Sequence, residues 1–338
     1  MEIERKLLKR SSLERLVDMM RSDGNMIYAP QKKETQVVFD TIETFADMTE
    51  DYIVSNQSPK FVAFPKIEKI LDFSISQEGI RQEGTQLAAF PPVVVLGCRP
   101  CDADGFDSLT AIFNWDYKDE LYNERLKRTT LISISCAQKD DYCFCTSVKG
   151  HPGSTRGSDI LLTRFDGGDY LAEIVTEKGK ALTEKYAALF EADPGIEKDK
   201  FLAEVKPRFE VEGLVQKCMG MFEHPVWIEQ SLRCIGCGAC AYVCPTCACF
   251  DIQDEAAVSK GERIRCWDSC GFGLFTIHTS GHNPREVQSQ RWRQRVLHKF
   301  SYMPERLGVI GCVGCGRCSR ACPVDMNLSE HLINIAEV

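Results

Sequence analysis

Two cysteine runs near the end of the chain carry its most specific chemistry. The first is Cys234-Ile-Gly-Cys237-Gly-Ala-Cys240-Ala-Tyr-Val-Cys244-Pro245, the second Cys312-Val-Gly-Cys315-Gly-Arg-Cys318-Ser-Arg-Ala-Cys322-Pro323. Both read C-x2-C-x2-C-x3-C-P, the spacing with which three thiolates wrap one 4Fe-4S cubane while the fourth serves the neighbouring cubane. The pattern predicts one cluster on Cys234, Cys237, Cys240 and Cys322, and a second on Cys312, Cys315, Cys318 and Cys244. Gly236, Gly238, Gly314 and Gly316 let the backbone turn close to the sulfides, and the prolines aim each fourth cysteine away from its own loop. Structural zinc is the alternative, but it favours paired C-x2-C knuckles. Cys240, Cys244 and Cys247 also spell the C-x3-C-x2-C of radical-SAM enzymes. That reading arises from overlap with the first run, and no series of eight βα units surrounds it.

A second group of thiols is predicted from the elements that deliver it. Val93-Val-Val-Leu96 reads as a strand buried on both faces, and it runs into Cys98-Arg-Pro-Cys101-Asp102. Helical segments follow over 103–113 and 119–127, then a second buried strand, Leu131-Ile-Ser-Ile-Ser135, which ends on Cys136. Strand, helices, strand predicts a crossover with parallel strands, so both cysteine loops fall at the carboxyl edge where open α/β sheets place ligands. Cys143 and Cys145 follow at once. Cys101, Cys136, Cys143 and Cys145 form a candidate third 4Fe-4S set, with Cys98 able to replace one member; buried free cysteines are the other reading.

The remaining elements read as scaffold. Leu13, Leu16, Val17 and Met20 lie on one face of a helix over 11–22, with Ser11 and Glu14 as a capping box. Met26–Ala29 and Gln36–Phe39 read as strands around a polar turn at 31–34, and Phe61–Phe64 is a short apolar run. Residues 160–163 and 170–175 form a hairpin about Asp166-Gly-Gly168. Helical patterns cover 178–191 and 197–221. The expected fold is mixed: an α/β domain over 1–215, then a two-cluster ferredoxin-like domain over 216–338 with a long insert at 245–311. The insert carries Cys247, Cys249, Cys266 and Cys270, read as buried thiols, cluster-lining residues or ligands of a further metal. Arg285, Arg291, Arg293, Arg295 and Lys299 read as a solvated helix face or as partners of the acidic first domain. His282 reads as a hydrogen-bonded structural histidine.

Composition narrows the class. Of 18 cysteines in 338 residues, disulfides would account for many only in a short secreted chain, whereas the charged opening Met1–Arg10 suits no signal peptide and no apolar run is long enough to span a membrane. A soluble, cytoplasmic protein is expected. Residues 216–338 hold 13 Lys+Arg and 12 Asp+Glu, residues 1–215 hold 28 and 37, and neither half has the basic, aromatic-studded stretch of a nucleic-acid binder. No Gly-x-Gly-x-x-Gly follows a strand and no Walker A run exists, so no site for NAD(P), flavin or ATP is expected. Single electrons can move between clusters here; hydride chemistry is expected on a flavin subunit elsewhere.

The chain resembles the iron–sulfur β subunit of cytosolic sulfhydrogenases and the related A subunit of anaerobic sulfite reductase. The resemblance rests on Tyr28-Ala-Pro30, Cys101-Asp102, Cys136 with Tyr142-Cys-Phe-Cys145, His224-Pro225 with Trp227, Cys244-Pro-Thr-Cys247, Cys249, Trp267-Asp-Ser-Cys270, Gly281-His-Asn283 and the basic segment around Arg291. It implies that Cys101, Cys136, Cys143 and Cys145 belong together, and it leaves Cys98, Cys218 and Cys266 outside the pattern. Cys247, Cys249 and Cys270 lie within it, which keeps a further metal role open. It implies a partner like ferredoxin–NADP reductase, with FAD and a 2Fe-2S cluster. It also implies a catalytic partner: a hydrogenase, a sulfite reductase or a heterodisulfide-reductase-type assembly. On this reading the chain relays electrons in an anaerobic oxidoreductase complex and has no catalytic residue of its own. The alternatives are a free-standing iron–sulfur enzyme whose first-domain cluster binds substrate, and a diffusing ferredoxin-like carrier.

Overall fold

The computed structural model describes residues 3–338. Its strands in chain order are β1 (Glu4–Leu8), β2 (Met26–Lys33), β3 (Gln36–Thr41), β4 (Ile67–Ser76), β5 (Gly79–Gly84), β6 (Val93–Cys98), β7 (Thr129–Ile134), β8 (Ile160–Arg164), β9 (Tyr170–Ile174), β10 (Phe190–Glu191), β11 (Phe250–Ala257) and β12 (Lys260–Trp267). Eight form one mixed sheet in the order β10-β1-β9-β8-β7-β6-β2-β3. β6 pairs in parallel with β2 and β7, and β7 with β8; the outer pairs are antiparallel. Every residue of β6 is buried, as its unbroken apolar run requires of a central parallel strand.

Helix α1 (Arg10–Ser22) buries Leu13, Leu16, Val17 and Met20 against the sheet, the face its 3.6-residue period predicts. Its N-cap is Lys9, two residues before Ser11, and no side chain caps it, so the expected capping box does not form. Helices α2 (Pro100–Phe113) and α3 (Glu120–Lys127) make the β6–β7 crossover. Residues 160–174 form the expected hairpin. The strand β2 continues through the stretch read as a polar turn and reverses only at Glu34, which takes a left-handed φ of 54°.

Two readings change. The helical pattern over 178–191 yields α4 (Glu177–Lys185) and then the edge strand β10; that over 197–221 yields a short 3-10 turn and α5 (Val211–Gly220). Pro194 separates the two patterns and Pro207 interrupts the second, since proline does not continue a helix. α5 spans residue 215, and its Val211 and Leu214 share one core with Val296, Phe300 and Leu332.

The second sheet joins distant parts of the chain. β4 and β5 come from residues 67–84, β11 and β12 from the insert, and the order is β11-β12-β4-β5. One buried ionic knot fastens it to the crossover. Glu68, fully buried, takes Arg265 Nε at 3.1 Å and Arg125 Nε at 2.8 Å, and Arg265 also reaches Asp119. A carboxylate buried this deeply is tolerable only while paired. Arg265→Ala is therefore expected to lower stability by ~3–5 kcal/mol in denaturant unfolding. Glu68→Gln in that background should recover part of the loss.

Candidate metal centres

The two runs fold alike. Gly238 and Gly316 sit at left-handed φ of 74° and 71° as the N-caps of two short helices, Ala239–Tyr242 and Arg317–Arg320, each carrying the third cysteine of its run. An αL cap there is cheap only for glycine. These helices pack against each other, which brings the runs together.

Cys234, Cys237 and Cys240 line one apolar cavity, and the second run contributes Cys318 and Cys322 to it. Cys322 therefore stands with the first-run thiols. Cys234 receives Gln288 Nε2 at 3.0 Å, and Cys322 receives the Met326 amide at 3.3 Å. Cys237 is exposed. Cys244 lies close enough to act on Cys312, Cys315 and Cys318, and Cys318 acts on both Cys312 and Cys315. Burial pushes the Cys312 thiol up to about 12 and Cys315 up to about 11. Cys244 goes the other way: a hydrogen bond from Cys247, helped by Lys299 and Arg295, holds it well below the usual thiol range despite burial.

The third set is assembled by the sheet as its strand order requires. Arg99, at the end of β6, donates from Nη1 to Ser135 O at 3.1 Å beyond the end of β7 and from Nε to Ile53 O at 3.1 Å, so one guanidinium spans both cysteine loops. Cys101, Cys136, Cys143 and Cys145 line one cavity, together with Cys315 of the second run. Burial raises Cys101 well above the usual thiol range, Cys136 to about 11 and Cys145 to about 12. Cys98 is buried against Ser133 Oγ at 3.3 Å and does not line that cavity.

The second run is seated on the 142–145 loop. Phe144 N donates to Gly314 O at 2.9 Å. A Cβ at Gly314 would stand 2.5 Å from Cys145 N, and one at Gly316 would stand 2.4 Å from Tyr142 O. Arg317, 1% exposed, bonds Asp102 at 2.8 Å, yet its Nη1 and Asp102 Oδ1 have no protein partner. That buried guanidinium nitrogen acts on both Cys315 and Cys101. A cluster sulfur accepting N–H bonds there suits it. Arg320 binds Asp140 at 2.7 Å and Cys143 Sγ at 3.4 Å.

Among the insert thiols, Cys247 and Cys270 are buried and Cys249 lies beside Cys270, while Cys266 sits near the surface on β12. Cys218 is packed in the C-terminal core. His282 closes a turn, its carbonyl accepting the His278 amide at 2.8 Å. The basic segment is not a uniformly solvated face, and among the described residues it forms no ion pair with the first domain. Arg285, Arg291 and Arg293 are half-buried, and Arg293 lies 3.7 Å from Glu223. Arg295 and Lys299 are 4% and 3% exposed and turn inward to the thiols. Their i, i+4 spacing was the available signal. A π-turn over His298–Tyr302, the irregularity often met at functional sites, follows the helix Gln288–Leu297 there.

Residues 233–326 match the family described as a 4Fe-4S dicluster domain. Iron and sulfide, not zinc, are thus the chemistry of the two runs. The whole chain is similar to sulfhydrogenase 2 subunit beta of Pyrococcus furiosus, 29% identical over 323 residues that cover 92% of each chain. The resemblance read from the cysteine loops extends along nearly the full length. Among the described residues no helix is long and apolar enough to cross a membrane.

The position of Cys322 generates a direct test. Cys322→Ala should abolish the paramagnetic signal of the cluster on Cys234, Cys237 and Cys240 and spare that of the second run. Loss of the second-run signal alone would mean that each run is self-contained. Gly314→Ala, strained at φ 63° and crowding Cys145, should strip iron from the Cys101 set first, read as iron per chain and as a lost signal.

Proposed function

We propose that this chain is an electron-transfer subunit of a multisubunit anaerobic oxidoreductase and relays single electrons through three 4Fe-4S clusters. Their ligands are Cys234, Cys237, Cys240 and Cys322; Cys312, Cys315, Cys318 and Cys244; and Cys101, Cys136, Cys143 and Cys145. One observation carries this reading: the second run shares a wall with both other thiol sets, Cys318 with the first run's cavity and Cys315 with the N-terminal one. The order is then N-terminal set, second run, first run. Exposed Cys237 at one end suits exchange with a partner. The clusters supply the one-electron chemistry; the protein holds them near each other and shields them from water.

The similarity to a sulfhydrogenase β subunit supports placing the chain between two partners. One is a flavin subunit like ferredoxin–NADP reductase, with FAD and a 2Fe-2S cluster, where hydride becomes single electrons. The other is a catalytic subunit of hydrogenase, sulfite reductase or heterodisulfide-reductase type. On this account the ligand sets divide the chain into an α/β domain to about residue 215 and a dicluster domain after it, with a cytoplasmic setting.

Fully reconstituted full-length chain should contain ~12 irons, three cubanes of four, and the Cys143→Ser, Cys145→Ser double variant ~8. A wild-type value of ~8 would reduce the relay to the two ferredoxin-like clusters. The isolated chain should neither oxidise NAD(P)H nor retain flavin through desalting. Native co-purification should recover the flavin and catalytic subunits; elution alone would favour a diffusing carrier.

A further inference from the structure

Arg295 and Lys299 lie in the wall between the two runs, and neither has a carboxylate partner among the described residues. Lys299 Nζ donates to Thr246 Oγ1 at 2.8 Å, Gly311 O at 2.6 Å and Cys244 Sγ at 3.5 Å. Arg295 Nη2 donates to Cys240 O at 3.0 Å and Nη1 meets Cys247 Sγ at 3.5 Å. Behind them Lys60, 2% exposed, donates to Cys247 O at 2.7 Å and stacks 4.1 Å over the Trp267 ring. The groups that favour the charged forms of Arg295 and Lys299 are cysteines of the two runs and Cys247.

A buried cation without an anion is costly, so something in this wall must supply negative charge. A 4Fe-4S centre with four thiolates does so. The cations beside the N-terminal thiols differ. Arg317, shared with Cys315, is paired with Asp102 and Arg320 with Asp140, so their charges are largely spent within the protein. Arg99, held by the Ser135 and Ile53 carbonyls, is a single guanidinium without a carboxylate partner among the described residues. On the first run's side Cys234 receives a neutral amide from Gln288, and Arg295, which also lines that cavity, is shared through the Cys240 carbonyl, while Lys299 reaches only the Cys244 side.

We propose that Arg295 and Lys299 are the counter-charge of the Cys244-bearing centre, and that they make it the highest-potential stop of the relay. Reduction there adds one electron to the centre and removes one from a neighbouring reduced cluster, with no proton or bond exchanged. The added negative charge is stabilised by the two fixed positive charges, since the interior screens poorly. An electron entering from either end therefore comes to rest in the middle, where the second run touches both neighbours. This rests on the ligand sets proposed above.

The test uses full-length chain reconstituted with iron and sulfide, scored by iron content and by a redox titration followed by paramagnetic resonance. Lys299→Met and Arg295→Met should each lower one midpoint potential by at least ~59 mV, a tenfold loss in the one-electron reduction constant, and move the other signals less. Lys299→Arg should restore the value. Full iron with an unchanged potential overturns the proposal. Should the methionine variants lose that centre's iron, the charge-keeping Lys299→Arg and Arg295→Lys decide: retained iron supports counter-charge, and lost iron shows that shape alone matters. Cys244→Ala separates the two readings, because survival of all signals in that variant would fault the ligand set rather than the cations.

Discussion

The seat of the second cysteine run on the 142–145 loop is the contact on which the arrangement depends. It joins residues about 170 positions apart in the chain through a backbone hydrogen bond and two glycines that leave no room for a side chain. The close approach places Cys315 in the wall of the N-terminal thiol cavity. The Arg317–Asp102 pair, buried in the same contact, is intolerant of separation, because either partner alone would be a stranded charge. The same few residues thus hold the halves together and set the distance electrons must cross.

Two further joints keep that seat in register. Gly105 of α2 faces Pro245 at the end of the first run, where an added Cβ would lie 2.7 Å from the proline ring. The first run is thereby lodged on the helix whose opening turn carries Cys101. On the far side, the insert hairpin completes a sheet with β4 and β5, tied down by Glu68 and Arg265. The long insert is therefore a clasp between halves rather than an appendage of the dicluster domain.

Charge follows the same plan. Thiols gathered in a dry interior stay protonated unless cations or metal offset the charge, and burial raises most of those at the three sites. Around Cys244 the protein supplies cations in advance and the thiol responds in the opposite direction. At the N-terminal set Arg317 and Arg320 are paired with aspartates, and Arg99 is bound by backbone carbonyls. Similar ligands thus stand in different fields.

Much of the site was legible because its rules are local. Spacing of two and three residues, glycines that must take left-handed φ and prolines that end a run are covalent-geometry constraints, and the runs obey them without help from the fold. The buried strands β6 and β7 announced themselves by unbroken apolar sequence, and their carboxyl ends placed Cys101 and Cys136 on one edge. The polar, exposed strands β5 and β11 carried no such signal. The sheet they help to form was invisible until its distant partners met. Arg295 and Lys299 were misread for the same reason: along the chain a charge looks solvated. Which face of their helix is buried depends on Cys240, Cys244 and Gly311, brought there from other parts of the chain. Local sequence determined which atoms can hold clusters. Only the tertiary structure decided which thiol sets touch and which of them lies among unpaired positive charge, because burial and Coulomb energy belong to neighbours in space.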